Sequence, residues 1–167
     1  MRKYQEGEAS AAASLIDRLS PQVFHFFLAQ TRERSSAEDL LQDFWLRVHK
    51  ARRTYRAGEP LLPWIYGIAR RTQIDGYRRR SRIAKHEYQS EQLPETAAQQ
   101  RTEAAPHDIG RALQKLPASQ RETILMLKVG GLSLEEVARA TGTSVGAVKQ
   151  KAHRGYEALR KLFGGES

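Results

Sequence analysis

The stretch SLEEVARATGTSVGAVKQKAHRGYEALRKLF, residues 133–163, has the pattern of two helices joined by a tight turn. Ser133 and Glu136 have the capping-box spacing, at which each side chain accepts a hydrogen bond from the other's backbone N–H at the start of a helix. Residues 141–143 form a turn signal, and Ser144 then caps a longer helix that runs towards Leu162. The stretch therefore predicts a helix-turn-helix.

Small and apolar side chains are placed to hold this motif together. Val137, Val145 and Val148 can pack between the two helices. Ala138 and Gly142 lie where the helices cross, and we expect them to be small because bulk would push the helices apart.

The longer helix carries a basic face. Its candidate DNA-binding residues are spaced i, i+1, i+4 and i+5 and so share one sector: Lys149, Gln150, His153 and Arg154. A helix fits the major groove of duplex DNA, and its first turns meet base edges. We expect these side chains to contact bases or adjacent phosphates; the alternative is a solvated basic face on a bundle helix.

The overall charge also points to a polyanionic partner. The 167 residues include 28 Lys and Arg against 19 Asp and Glu, a net charge of +9. Nucleic acid is the first candidate; an anionic membrane surface is weaker, because the basic residues face no broad apolar stripe. The length suffices for one ordinary domain or two very small ones.

Several classes of site are not expected. The chain has no cysteine, which removes disulfides, thiolate metal sites and a Cys nucleophile. Its five histidines are scattered without ligand spacing, so no metal or cofactor is expected. No apolar run approaches the roughly 18–20 residues needed to span a bilayer, and acids interrupt the N-terminus, unlike a signal peptide. We expect a cytoplasmic protein without membrane insertion.

Helical periodicity runs through the rest of the chain, and strand signals are nearly absent, so the predicted fold is all-α. Pro21 is expected to interrupt an early helix. Ser35 or Ser36 is the expected N-cap of the next helix. Ser119 and Glu122 form a further capping-box pattern. The helix that follows Ser35 and Ser36 has an apolar stripe at helical spacing: Leu41, Phe44, Trp45 and Val48.

The stretch PWIYGIARRTQIDGYRRRSR, residues 63–82, begins like a core helix and ends as a polycation. The residues expected to pack inward are Ile65, Ile68, Ala69 and Thr72. Such a dense cationic cluster has few acids nearby and favours phosphates as partners. Trp64, Tyr66 and Tyr77 could stack on unpaired bases, although core packing is the default for each.

Residues 87–106 differ in composition, being rich in Glu, Gln, Ala and Thr. Their apolar residues are too few to bury much surface, and Arg101 stands among four acids. We interpret them as a solvated acidic linker.

The sequence is similar to a known family in two places. AEDLLQDFWLRVHKA (residues 37–51), followed by residues 63–80, resembles the second conserved region of bacterial sigma factors of the extracytoplasmic-function type. LPASQRETILMLKVGGLSLEEVARATGTSVGAVKQKAHRGYEALRK (residues 116–161) resembles their fourth region. The resemblance implies two small helical domains, a bundle over 1–86 and a helix-turn-helix domain over 107–167, joined by the flexible linker 87–106.

The resemblance also implies roles for individual residues. One helix would dock on core RNA polymerase through Asp39, Gln42, Asp43, Leu46 and Arg47. The cationic segment would open the −10 promoter element and hold its unpaired strand through Arg71, Asp75, Arg78, Arg79, Arg80 and Arg82. The basic face of the last helix would read the −35 element as duplex. Arg71 stands where the family usually has Asn, and Gly76 where a bulkier residue is common.

The partners that the resemblance implies are core RNA polymerase, promoter DNA and an anti-sigma factor, with no covalent chemistry in the chain itself. Two alternative functions stay open. A stand-alone helix-turn-helix repressor or activator explains only the C-terminal half. A tyrosine recombinase would use His49 and Arg52 with Tyr55 or Tyr77 as nucleophile, but a basic helix end explains His49 and Arg52 more simply.

Overall fold

Helices dominate the chain wherever the computed structural model describes it, residues 1–90 and 107–164, with side chains over 1–86 and 109–163. No strand occurs in these ranges, and the all-α prediction is confirmed. A 3-10 turn, Arg52–Thr54, follows the third helix. The α-helices are α1 (Arg2–Gln5), α2 (Ala9–Thr31), α3 (Arg34–Ala51), α4 (Leu61–Ser90), α5 (His107–Lys115), α6 (Ala118–Lys128), α7 (Leu134–Thr141) and α8 (Val145–Gly164).

Helix α2 passes through Pro21 without a break, so the predicted interruption is wrong. Proline inside a helix removes one backbone hydrogen bond and costs about 3 kcal/mol. Here Leu19 and Val23, on either side of the proline, are buried in the core. Burial of this face offsets the lost bond and keeps the helix continuous.

Helix α3 begins one residue after Glu33, so neither Ser35 nor Ser36 is its N-cap. Both hydroxyls instead donate to the Glu33 carboxylate, at 2.7 Å and 2.6 Å. These two bonds hold the pKa of Glu33 below its usual value. The serines therefore orient and stabilise the carboxylate of the residue that precedes the helix.

The first half of α4 is the buried platform that the sequence predicts. All four residues expected to face inward are buried, and the Thr72 hydroxyl donates to the Ile68 carbonyl, which satisfies it inside the core. Tyr66 is also fully buried, so it is a core residue rather than a stacking surface. The second half, from Tyr77 to His86, is exposed except for half-buried Ser81.

Gly76 lets α4 approach α3. A Cβ atom at this position would lie 2.6 Å from Leu40 Cδ2, well inside contact distance. Leu40 is itself buried, so it has little room to move away. The glycine at this position therefore has a packing reason within this chain.

The helix-turn-helix is present as predicted. Ser133 Oγ accepts from the Glu136 N–H, and Glu136 Oε2 accepts from the Ser133 N–H, which completes the capping box. Ser144 Oγ accepts from the Ala147 N–H at the start of α8. Gly142, however, is not needed for a close helix crossing, because nothing lies within 4 Å of a Cβ there. Its φ of +65° at the end of α7 is the physical reason for glycine.

The second capping-box prediction is wrong. Helix α6 begins at Ala118 after Pro117, and no side chain caps it. Ser119 therefore lies inside the first turn. Glu122 instead reaches across to Arg70 on α4, with Oε1 3.1 Å from Arg70 Nε.

The N-terminal helices α1–α4 and the C-terminal helices α5–α8 share one connected cluster of buried apolar residues. Helix α7 packs along α4, and α5 and α6 contact α2. Helix α4 continues to Ser90, so it includes the first four residues of the segment interpreted as a linker. The other linker residues, 91–106, lie outside the described part of the chain. Among the described helices, none has the length and apolar content required to cross a membrane.

Candidate functional site

The outer face of α3 presents the residues that the resemblance assigned to polymerase docking. At 100° per residue they share one sector, opposite the buried stripe of Ala37, Leu40, Phe44 and Val48. Leu46 is 60% exposed, which is unusual for leucine and leaves its side chain available to a partner. Asp39 and Gln42 are exposed beside it, and Asp43 and Arg47 are half-buried.

Arg47 joins this face to α4. Its Nη1 donates to Asp75 Oδ2 at 2.6 Å, and its Nη2 lies 3.2 Å from Asp43 Oδ2. The bond from Arg47 holds the pKa of Asp75 below its usual value, and the charges of Arg78 and Arg79 act in the same direction. The same bond raises the pKa of Arg47. The structure thus connects two groups of residues that the sequence assigned to different partners.

The cationic segment of α4 presents two faces. Arg71, Asp75, Arg78 and Arg82 share one sector by helical spacing, and Arg79 lies at its edge. Arg80 lies on another side, where its Nη1 is 3.8 Å from the Cβ position of Gly76 and its charge lowers the pKa of Glu33. All five arginines are exposed, and none forms an ion pair with another described residue. We refer to Arg71, Asp75, Arg78, Arg79 and Arg82 as the α4 cationic face.

A cleft of about 390 Å³ lies at the N-terminal end of this face. Arg71 lines it together with Trp64, Glu59 and, from α7, Arg139 and Ala140. The Trp64 ring meets the Tyr55 ring edge to face, with centroids 5.6 Å apart. Arg71 therefore lies next to the C-terminal helices as well as on α4.

The connection between α3 and α4 contains cations that the sequence analysis did not single out. Arg53 and Arg56 are exposed there. Gln5 of α1 fixes this connection, since its Nε2 donates to the carbonyls of Arg52 and Tyr55 at 2.8 Å each. The three arginines within residues 52–56 could have indicated this basic connection from the sequence. No sequence pattern could have indicated the contact with Gln5, because it joins residues about fifty positions apart.

The basic face of α8 is exposed as predicted. Lys149, Gln150, His153 and Arg154 all lie opposite the buried residues of this helix. Among those, Gly155 lets α8 approach α6, because a Cβ there would lie 2.6 Å from Ile124 Cδ1. Glu157, which the sequence analysis did not name, shares the basic face and lies 3.6 Å from His153 Nε2. The face therefore carries one acid among its cations.

The described residues include no cluster that could hold a metal ion, and His49 and Arg52 have structural partners. His49 Nδ1 shares a hydrogen bond with the Tyr4 hydroxyl, and Arg52 Nη1 donates to the His49 carbonyl at the end of α3. These contacts give both residues structural partners. Within residues 1–86 and 109–163, no three His, Asp or Glu side chains converge as metal ligands would.

Family models match both halves of the chain. Residues 15–83 match sigma-70 region 2, and residues 107–159 match sigma-70 region 4. The first match contains the α3 and α4 faces, and the second contains the helix-turn-helix. Sigma factors are transcription initiation factors and not catalysts.

Relatives match along nearly the whole chain. The RNA polymerase sigma factor CarQ of Myxococcus xanthus is 34% identical over 98% of this chain and 95% of its own length. The ECF RNA polymerase sigma factor SigD of Mycobacterium tuberculosis is 33% identical over 92% of this chain and 77% of its own.

A solved structure shows the same fold. The sigma factor RpoE of Bartonella quintana, crystallised with the anti-sigma factor NepR, superposes with a TM-score of 0.75 at 23% identity. The match covers 93% of this chain and 98% of that one. The two family-model matches and the relatives that are 33–34% identical establish that this chain belongs to the sigma-70 family, as a sigma factor of the extracytoplasmic-function type.

Proposed function

We propose that this chain directs core RNA polymerase to promoters as a dissociable subunit, with three separate surfaces for polymerase, single-stranded DNA and duplex DNA. The observation that carries the proposal is the exposure of all three predicted faces on one small scaffold. Each face lies outside the buried stripe of its own helix, and its side chains are exposed except for half-buried Asp43 and Arg47.

The outer face of α3 is the proposed polymerase-docking surface. It combines an exposed apolar centre, Leu46, with the acids Asp39 and Asp43. An apolar residue at the centre of a polar rim is the usual composition of a protein interface. The acids suit a basic partner surface, and they would accelerate encounter more than they would add affinity.

The α4 cationic face is the proposed surface for the unpaired strand of the −10 element. Unpairing and unstacking a base costs a few kcal/mol, which the protein must offset by contacts to the extruded nucleotide and its phosphates. Arg78, Arg79 and Arg82 are exposed for phosphate contacts. Tyr77 is 67% exposed beside them and offers a ring on which a base can stack.

The basic face of α8 is the proposed reader of the −35 element. As the second helix of a helix-turn-helix, α8 enters the major groove with its N-terminal turns, where Lys149, Gln150 and His153 lie. Gln150 has the amide that pairs with adenine, and Lys149 and Arg154 suit guanine or phosphate. Glu157 would accept from the amino group of a cytosine.

The remaining roles follow from the same proposal. The chain performs no covalent chemistry itself and works in the cytoplasm, where the polymerase is. The solved RpoE structure is a complex with an anti-sigma factor, and we propose that an anti-sigma factor likewise covers the polymerase- and DNA-binding faces of this chain. Residues 91–106, outside the described part, would connect the two promoter-binding halves.

Reconstituted transcription tests the proposal. Core polymerase with the purified chain should give run-off transcripts from a subset of genomic fragments, and core polymerase alone should not. Transcription that never depends on the chain would overturn the proposal. Tight binding of the chain alone to a duplex site, with no effect on polymerase, would instead identify a stand-alone helix-turn-helix regulator.

A further inference from the structure

The connection between α3 and α4, residues 52–60, lies beside the α4 cationic face. Thr54 and Glu59 of the connection line the cleft of about 390 Å³ that Arg71 also lines. At the start of α4, the indole N–H of Trp64 donates to Thr54 Oγ1 at 3.4 Å. A DNA strand bound to the α4 cationic face would therefore meet the connection at the end where Arg71 lies.

The connection carries cations that no acid neutralises. Arg53 and Arg56 are exposed, and neither forms an ion pair with another described residue. The acid within the connection, Glu59, lies instead 3.8 Å from Arg139 of α7. Exposed cations without acidic partners suit phosphate groups, because each contact releases counterions from the nucleic acid.

Most hydrogen bonds of the connection fold it upon itself. After the 3-10 turn Arg52–Thr54, the Tyr55 hydroxyl donates to the Glu59 carbonyl. The Glu59 N–H donates to the Arg56 carbonyl at 3.2 Å, and Gly58 turns the chain with a φ of +95°. These local features give the connection its own shape. Its placement against the helices depends on contacts from outside it.

Helix α1 supplies such a contact through one side chain. The Nε2 group of Gln5 donates to the carbonyls of Arg52 and Tyr55 at 2.8 Å each. A side-chain amide has two N–H donors, so both are used here. The two carbonyls flank Arg53, and Arg56 follows Tyr55 directly. One amide thus fixes the backbone next to both exposed arginines.

Tyr4 anchors α1 in the position that this contact requires. Its side chain is only 7% exposed, and its hydroxyl shares a 3.0 Å hydrogen bond with His49 Nδ1 at the end of α3. A helix of four residues is too short to be stable alone. The burial of Tyr4 and the bonds of Gln5 therefore hold α1 in place, and α1 in turn holds the connection.

We propose that α1 is a clasp for the α3–α4 connection, and that Gln5 is the positioning residue that keeps Arg53 and Arg56 in place for the phosphates of the DNA strand on the α4 cationic face. The inference rests on the proposed function, which supplies that strand. Gln5 itself does not contact the DNA. Its contribution is preorganisation, because cations on a backbone that is already fixed lose less conformational freedom on binding.

Salt dependence tests whether the connection binds phosphates. Core polymerase assembled with the full-length chain is bound to a promoter fragment selected by run-off transcription, with its −10 region kept unpaired by mismatches. Arg53→Ala with Arg56→Ala should reduce the slope of log K against log salt by about 1.4, since each lost contact to a single strand removes about 0.7. The matched control, Arg111→Ala with Lys115→Ala, removes two exposed cations from α5 and should leave the slope unchanged.

The isosteric change Gln5→Glu tests the positioning role, because a carboxylate cannot donate to the two carbonyls. It should weaken binding to the same fragment about fivefold or more, since only molecules with the connection in place bind fully. It should also reduce the salt slope, and it should add little to the double arginine variant. A merely structural role would lower the melting temperature without changing the slope. Gln22→Glu, the same change of charge on α2, is the control and should leave the slope unaltered.

The free chain provides a test without DNA or polymerase. The sequence has two tryptophans, so Trp45→Phe leaves Trp64, whose ring meets the Tyr55 ring with centroids 5.6 Å apart. In this background Gln5→Glu should shift the Trp64 emission to longer wavelength, as water reaches the ring. In the chain with both tryptophans, Gln5→Glu should accelerate amide hydrogen exchange in the connection and not in α6. Gln22→Glu should change neither measurement.

The outcomes distinguish this inference from the proposed function. Promoter-dependent transcription, together with a salt slope that the arginine changes leave unaltered, would overturn the phosphate contacts and leave the proposed function intact. A slope that the arginine changes reduce but Gln5→Glu does not would overturn the positioning role. A chain that never supports transcription would remove the proposed function. Unchanged emission and exchange in Gln5→Glu would overturn the clasp, whatever the chain does in transcription.

Discussion

Arg47 and Asp75 are joined by a 2.6 Å bond between Nη1 and Oδ2, and the other nitrogen of the same guanidinium lies 3.2 Å from Asp43 Oδ2. One side chain thus fixes the proposed polymerase face of α3 relative to the α4 cationic face. An arginine placed between two carboxylates suits this task, because its planar fork holds both in a defined geometry. Arg47 is therefore a positioning residue for Asp75, whatever it contacts on a partner.

Removal of this bond should change the titration of Asp75. In Arg47→Gln the pKa of Asp75 should rise towards its usual value, although Arg78 and Arg79 still act to lower it. Because the folded-state pKa is depressed, the stabilisation is complete above the unfolded value of about 3.9 and is lost as the pH falls through the folded pKa. Carboxyl-detected NMR titration measures this directly.

The loss of stability at neutral pH should be small. Both side chains are at least one-third exposed, so solvent screens the pair, and we expect about 0.2–1 kcal/mol. Arg34→Gln, which breaks the Arg34–Glu38 pair, is the control and should leave the Asp75 titration unchanged. An Asp75 pKa that is the same with and without Arg47 would contradict the assigned bond.

Leu46→Asp should weaken capture by core polymerase without unfolding the protein. Its side chain is 60% exposed and contributes little to the core, so the melting temperature should change by little. Loss of a central apolar contact in an interface typically costs about 1–2 kcal/mol or more, which corresponds to roughly tenfold in affinity. The control is Ile16→Asp, an exposed apolar residue on α2 outside the proposed face. Equal losses in both variants would contradict the docking assignment.

Gly76→Val should destabilise the fold, because even a Cβ at this position would lie 2.6 Å from Leu40 Cδ2. Overpacking of this kind costs about 1–3 kcal/mol. Combination with Leu40→Ala should cost less than the sum of the two changes, since the smaller residue makes room. Gly67→Ala is the control, because its Cβ would have an ordinary contact of 3.7 Å. Chemical denaturation of the four variants measures the coupling, and strict additivity would contradict the proposed contact.

Two serines with the same sequence pattern should behave differently. Ser133→Ala should lower the unfolding free energy by about 1 kcal/mol, because Ser133 caps α7. Ser119→Ala should change it by a few tenths at most, because Ser119 lies inside α6 and caps nothing. Thermal unfolding of the two variants checks this difference. Equal losses of stability in the two variants would contradict a capping role that belongs to Ser133 and not to Ser119.

These two serines also show which features a sequence can predict. The pattern of Ser, two residues and Glu is necessary for a capping box, but tertiary contacts decide whether it forms. The Glu136 carboxylate accepts from the Ser133 N–H, whereas Glu122 pairs with Arg70 on another helix. Hydrophobic periodicity predicted the buried face of α4 correctly, because that face depends only on the spacing of residues along one helix.

The features that sequence analysis missed join residues far apart in the chain. Gln5 contacts the connection after α3, and Arg47 contacts Asp75, across distances that no local pattern encodes. The packing of α5, α6 and α7 against α2 and α4 is the largest example. A region of low apolar content between two helical segments suggested separate bodies, and their mutual packing depends on side chains from helices far apart in the chain.

The basic face of α8 should show two distinct kinds of DNA contact when the assembled polymerase binds promoter. Lys149→Ala should weaken binding to all sequences alike and reduce the slope of log K against log salt by about 1, as expected for one lost phosphate contact. Gln150→Ala should leave the slope unchanged. It should instead relax the preference at one base pair by about 1–3 kcal/mol, because a bidentate amide contact is lost.

A competition assay on promoters that differ by single pairs, repeated at several salt concentrations, separates these effects. Lys115→Ala removes an exposed lysine from α5, outside the basic face, and should leave slope and preference unchanged. If Gln150→Ala discriminates among the promoters as the wild type does, Gln150 reads no base. If Lys149→Ala and Lys115→Ala reduce the slope of log K against log salt equally, the effect reflects the overall charge of the protein. The assignment of α8 as the DNA-binding helix would then be contradicted.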